Sequence, residues 1–126
     1  MRKIALMIVA LLFAGRGYAQ QEGVKFVSQS NAEFAKTISD KNVQLVDVRR
    51  ADEFAQGHIP SAVNIDESAP DFDEKVAEKL DKTKSVALYC RSGGRSKTAA
   101  RRLSAAGYKV YELDKGFMNW DGKSIK

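Results

Sequence analysis

The chain has one cysteine, Cys90, and Arg91, Ser92, Gly93, Gly94, Arg95 and Ser96 follow it directly. The preceding Ser85-Val86-Ala87-Leu88-Tyr89 reads as a buried strand. A helix is expected to begin near Arg95 and to continue through Thr98, Ala99, Ala100 and Leu103 to Gly107, a residue suited to the C′ position. A cysteine at such a strand-to-helix turn lies under the unpaired N–H groups of the helix and the positive end of its dipole. Both effects favour thiolate over thiol, and the thiolate is the nucleophile. Gly93 and Gly94 let the loop curl, so that successive N–H groups can converge on one anion. The pattern points to nucleophilic chemistry at Cys90. Arg91, Ser92, Gly93, Gly94, Arg95 and Ser96 are the candidate substrate-binding residues.

Composition narrows the chemistry further. At 126 residues the chain suits one domain with a hydrophobic core. Met1-Arg2-Lys3, the eleven-residue apolar run Ile4 to Ala14, and Gly17-Tyr18-Ala19 before Gln20 form the three parts of a secretory signal peptide. Residues 1–19 are read as that leader and 20–126 as the domain, which places the mature chain in the periplasm or outside the cell. The apolar run falls short of the roughly 20 residues of a membrane span, so no stable membrane anchor is expected after cleavage. The leader holds Arg2, Lys3 and Arg16 and no acid, so the formal charge falls from +5 to +2 on cleavage, with 18 basic and 16 acidic residues left. That balance does not support nucleic-acid binding. The local crowd of Arg91, Arg95, Lys97, Arg101 and Arg102 suits a small anionic substrate instead. One cysteine allows no internal disulfide, and one cysteine with one histidine cannot build a tetrahedral Cys/His zinc site.

The elements that must position the loop alternate along the chain. Strands are expected at Val24–Val27, Val43–Val48, Ala62–Ile65, Ser85–Tyr89 and Lys109–Leu113. Between them, Ser30-Asn31-Ala32-Glu33 is a capping box opening a helix with Phe34 and Ile38 on one face. A short helix runs from Arg50 to Gln56, and Phe72, Val76 and Leu80 mark an amphipathic helix. Gly116 to Trp120 reads as a terminal helical turn. Alternating strands and helices predict an α/β domain, a mostly parallel five-stranded sheet with helices on both faces. Ligands of such sheets bind beyond the carboxyl ends of the strands, where Cys90 stands.

Val46-Asp47-Val48-Arg49, then Glu53-Phe54 with Gly57 to Ile65, then Cys90 to Ser96 resemble, in order and spacing, the signatures of the rhodanese domain. The resemblance covers about Val24 to Trp120 and is similar to that of the exported single-domain members. It implies sulfur transfer. The cysteine matching Cys90 attacks the outer sulfur of thiosulfate, releases sulfite and becomes a persulfide, which passes its sulfur to cyanide or to a thiol. It also implies no metal and no organic cofactor, a small anionic sulfur donor, and a thiol acceptor that is a small molecule or a protein. Arg91 and Arg95 would attract the thiosulfate dianion. Lys115-Gly116 stands where the family commonly has Gly-Gly, which puts the local turn in question.

Two other functions fit parts of the pattern. A cysteine phosphatase would usually have His before the cysteine and five residues before the arginine, whereas here Tyr89 precedes Cys90 and four residues separate it from Arg95. A non-enzymatic sulfur carrier or thiol sensor would also use a single reactive cysteine. Asp47, Arg49 and His58 are expected to be structural, Arg101 and Arg102 to form a solvated helix face, and Trp120 to lie in the core.

Overall fold

Alternate residues of each strand carry apolar side chains to opposite sides of one sheet, so each strand is covered on both faces. The structure, a computed structural model, describes residues 25–126. The leader expected over residues 1–19 and the start at Gln20 lie outside the described residues. The order is β1 (Val27–Gln29), α1 (Asn31–Ile38), β2 (Gln44–Asp47), α2 (Ala51–Gln56), β3 (Val63–Asn64), α3 (Phe72–Lys79), β4 (Val86–Tyr89), α4 (Gly94–Ala105) and β5 (Val110–Leu113), then a 3-10 turn at Phe117–Asn119. The five strands are all parallel, in spatial order β1-β5-β4-β2-β3. This puts β4, the strand leading to Cys90, at the centre of the sheet. No described helix is long and apolar enough to cross a membrane.

One face packs Val46, Val48, Val86, Leu88, Cys90 and Val110 against Phe72 and Val76 of α3 and Ala99, Ala100 and Leu103 of α4. The other packs Leu45, Ala87, Tyr89 and Leu113 against Phe34 of α1, with Phe117 and Trp120 at its rim. The period of two therefore decides which side of the sheet each strand residue serves. Cys90 falls on the α4 side.

Most expected elements form. The Ser30 capping box is complete: the Glu33 N–H donates to Ser30 Oγ at 3.2 Å, and the Ser30 N–H to Glu33 Oε1 at 2.9 Å. The first strand differs. It covers Val27–Gln29 rather than Val24–Val27, because its register on β5 pairs Ser28 with Glu112, and an alternating pattern of small windows does not by itself set register. Arg102 also differs from a solvated face. Its guanidinium lies 4.5 Å over the Phe72 ring and 3.0 Å from Asp73, tying α4 to α3. Trp120 is half-buried, edge-on to Phe34 with ring centroids 5.9 Å apart.

The polar interruption of β2 is self-contained. Asp47 is fully buried and accepts the Arg49 backbone N–H at 2.9 Å and its Nη2–H at 2.7 Å. Arg49 also donates to the Gly57 carbonyl at 2.6 Å, closing the turn after α2. His58 stacks on Phe54 with centroids 3.7 Å apart, and its Nδ1–H donates to the Phe54 carbonyl at 2.9 Å. These residues shape the frame. Replacing Arg49 by Met would leave the Asp47 carboxylate buried without its partner, a loss of about 3–5 kcal/mol of folding stability. Urea unfolding measures it, and parent-like stability of the Arg49→Met chain would contradict this reading of the pair.

Candidate active site

Four buried residues of β4 deliver Cys90 to the carboxyl end of the sheet, with only 1% of the residue exposed. Its sulfur accepts the Gly93 N–H at 3.1 Å and lies 3.4 Å from Ser96 Oγ. Gly93 has φ +108°, and a Cβ there would run into the Asp114 carbonyl oxygen. The N–H groups of Gly94, Arg95 and Ser96, in the first turn of α4, have no intrahelical acceptor. The loop thus places a sulfur atom at a helix N-terminus with one main-chain donor already engaged.

The 3-10 turn holds the start of this loop from outside. The Phe117 N–H donates to the Cys90 carbonyl at 2.8 Å, and the Met118 N–H to the Arg91 carbonyl at 3.0 Å. Gly116 makes this approach with φ +75°, and a Cβ on it would overlap the Arg91 backbone. The Lys115-Gly116 pair is therefore sufficient, since only its second position needs glycine.

The expected loop residues take different places. Arg91, Ser92 and Gly94 are exposed, Gly93 and Ser96 are buried, and Arg95 is half-buried. Arg91 borders a cleft of about 230 Å³ shared with Arg49, Glu53, Gln56, Gly57 and Phe117. Arg95 is engaged elsewhere: its Nη1 and Nη2 donate to Glu53 Oε1 and Oε2 at 2.8 and 3.0 Å. The Arg50 N–H also donates to Glu53 Oε1, at 3.1 Å, so one carboxylate ties α2 to the first turn of α4. The Arg95 hydrogen bonds hold the Glu53 carboxyl down at about 2 against the opposing effect of burial.

Beneath the sulfur lies a cluster that the loop motif did not show. Glu112 of β5 is fully buried on the α4 side of the sheet. Ser28 Oγ donates to its Oε1 at 2.6 Å, while Ser96 Oγ and Lys97 Nζ donate to its Oε2 at 2.6 and 3.1 Å. Lys97 also reaches Asp114 Oδ1 at 3.0 Å and the Asp114 and Gly93 carbonyls. The available signal was a lone charge inside Val110-Tyr111-Glu112-Leu113, a strand otherwise suited to burial on both faces.

A sequence model of the rhodanese-like domain matches residues 30–123. The chain belongs to the rhodanese-like family. The rhodanese domain is 39% identical over 89 residues to the putative sulfurtransferase YtwF of Bacillus subtilis, covering 71% of this chain and 84% of that one. It is 37% identical over 90 residues to the thiosulfate sulfurtransferase GlpE of Pseudomonas savastanoi, covering 70% and 81%. Its fold matches the crystal structure of a rhodanese-related protein from Thermoplasma volcanium with a TM-score of 0.68 and 27% identity, over 79% of this chain and 98% of that one. The rhodanese domain thus has sulfurtransferase relatives and the single-domain α/β fold expected from its sequence.

The Glu53–Arg95 tether has a definite pH signature. A carboxyl held low in the folded chain contributes fully above its ordinary value, near 4.5, and that contribution is lost as the pH falls toward about 2. The stability difference between the parent and Glu53→Gln should be constant at neutral pH and close in strong acid. Denaturant unfolding across this range checks it, and a difference as large at pH 2 as at pH 7 would contradict the tether.

Proposed function

We propose that this rhodanese domain is a thiosulfate-type sulfurtransferase that carries sulfane sulfur as a persulfide on Cys90 and passes it to a thiol or to cyanide. The observation that carries the reading is the Gly93 N–H, 3.1 Å from Cys90 Sγ at the N-terminus of α4. In the first step the Cys90 thiolate attacks the outer sulfur of thiosulfate. A new S–S bond forms to Cys90, the S–S bond of thiosulfate breaks, and sulfite leaves with its electron pair. In the second step the acceptor attacks the outer persulfide sulfur, and Cys90 returns as thiolate. The outer sulfur stays anionic after the first step, and main-chain donors at a helix N-terminus suit that charge. The first-turn N–H groups of Gly94, Arg95 and Ser96 are the further donors available to it.

The name of the Pseudomonas savastanoi relative supports thiosulfate as the donor. Arg91, exposed beside the cleft, is the cation placed to draw in a dianion. Arg95 gives two of its five donors to Glu53 and serves as the tether that fixes the helix start. The four residues between Cys90 and Arg95 leave a short loop, suited to a sulfur atom and cramped for a phosphoryl group. The mature chain would work in the periplasm or outside the cell, on the strength of the leader pattern in residues 1–19. Burial of Cys90 protects its unpaired thiol there.

The purified mature chain should turn over repeatedly with thiosulfate and cyanide and leave an aryl phosphate intact. Cys90→Ser should lose this turnover while keeping its fold. A single loading without turnover would make the chain a sulfur carrier, and full activity in Cys90→Ser would remove Cys90 as the sulfur-bearing residue. Mass analysis of the exported chain should show Gln20 as its first residue; a chain that retains residues 1–19 would overturn the cleavage assignment.

A further inference from the structure

Ser96 has one hydroxyl proton and two neighbours that want it. Glu112 Oε2 stands 2.6 Å away and Cys90 Sγ 3.4 Å away. A short hydrogen bond to a buried carboxylate is the stronger of the two, so the proton points at Glu112 and a lone pair of Oγ faces the sulfur. In that arrangement the Cys90 thiol donates and Ser96 accepts. A thiolate in the same place would face that lone pair, with the Gly93 N–H as the donor already engaged.

Glu112 can release the proton because its other partners remain. Ser28 holds Oε1, and Lys97 holds Oε2 from the next residue of α4. Three titratable groups surround it: Lys97 on α4, Cys90 at the end of β4, and Asp114 after β5, which pairs with Lys97 at 3.0 Å. The Arg95 guanidinium of α4 is the further charge that faces Cys90.

We propose that Glu112 is a positioning residue that competes with Cys90 for the Ser96 proton, so that Ser96 accepts from the resting thiol and donates to the charged sulfur. When the thiol ionises, its proton leaves to water at the loop mouth. The Ser96 hydroxyl then turns about its Cβ–Oγ bond, moving its own proton from Glu112 Oε2 to Sγ, while Lys97 and Ser28 keep the carboxylate paired. The carboxylate is a brake on sulfur ionisation, and Ser96 is the element that releases it. This inference rests on Cys90 as the sulfur-bearing residue.

The test is the pH dependence of persulfide formation from thiosulfate, followed in single turnover in the parent, Glu112→Gln, Ser96→Ala and the double variant. Removing the competing charge should move the half-maximal pH down by about one unit in Glu112→Gln. Ser96→Ala should move it up, because the charged sulfur loses a donor. In the double variant the Glu112→Gln shift should shrink by at least half. An unchanged or raised half-maximal pH in folded Glu112→Gln would overturn the proposal, the latter by making Glu112 an acceptor of the thiol proton. Should Glu112→Gln fail to fold, Ser96→Ala decides alone, and an unmoved profile there overturns it. Absence of any persulfide in the parent would instead overturn the reading of Cys90, so the two failures are distinguishable.

Discussion

The loop around Cys90 is held by its carbonyls. Phe117 and Met118 donate consecutive N–H groups to the carbonyl oxygens of Cys90 and Arg91, and Gly116 is the hinge that lets them come so close. With those two oxygens held from the side of the 3-10 turn, the chain turns inward at Gly93 and its N–H meets the sulfur. The positive φ of Gly93, its contact with Asp114 and the start of α4 follow from the same constraint. Two hydrogen bonds between distant parts of the backbone thus brace the loop from outside its own residues.

Charge serves the frame before it serves a substrate. The pairs Asp47–Arg49, Glu53–Arg95 and Glu112–Lys97 all lie toward the carboxyl end of the sheet. The first is buried within the β2 turn, the second anchors the start of α4 to α2, and the third lies under the sulfur. Among the loop arginines this leaves Arg91 exposed beside the cleft. The site therefore exposes fewer cations than its sequence suggests, because a half-buried guanidinium finds a carboxylate of its own chain.

Much of this was legible in the residue pattern, for physical reasons. The parallel sheet followed from strands alternating with helices, and the position of Cys90 from the rule that such sheets bind at their carboxyl ends. The Ser30 cap was readable because a capping box is a local device with fixed spacing. Long-range pairings were not readable. The β1 register depends on β5, more than eighty residues away, and the partner of Arg95 lies forty-two residues upstream. Glu112 carries little signal in sequence because its partners Ser28, Ser96 and Lys97 are distant along the chain. Its strand showed only one misplaced charge, of the same kind that marked Asp47.

The most direct measurement is the mass of the thiosulfate-treated chain, mapped to the peptide that contains Cys90. That peptide should gain one sulfur atom, which a thiol reductant removes and which Cys90→Ser lacks. An unmodified Cys90 after exposure to thiosulfate, in a chain that nonetheless turns thiosulfate over, would contradict it.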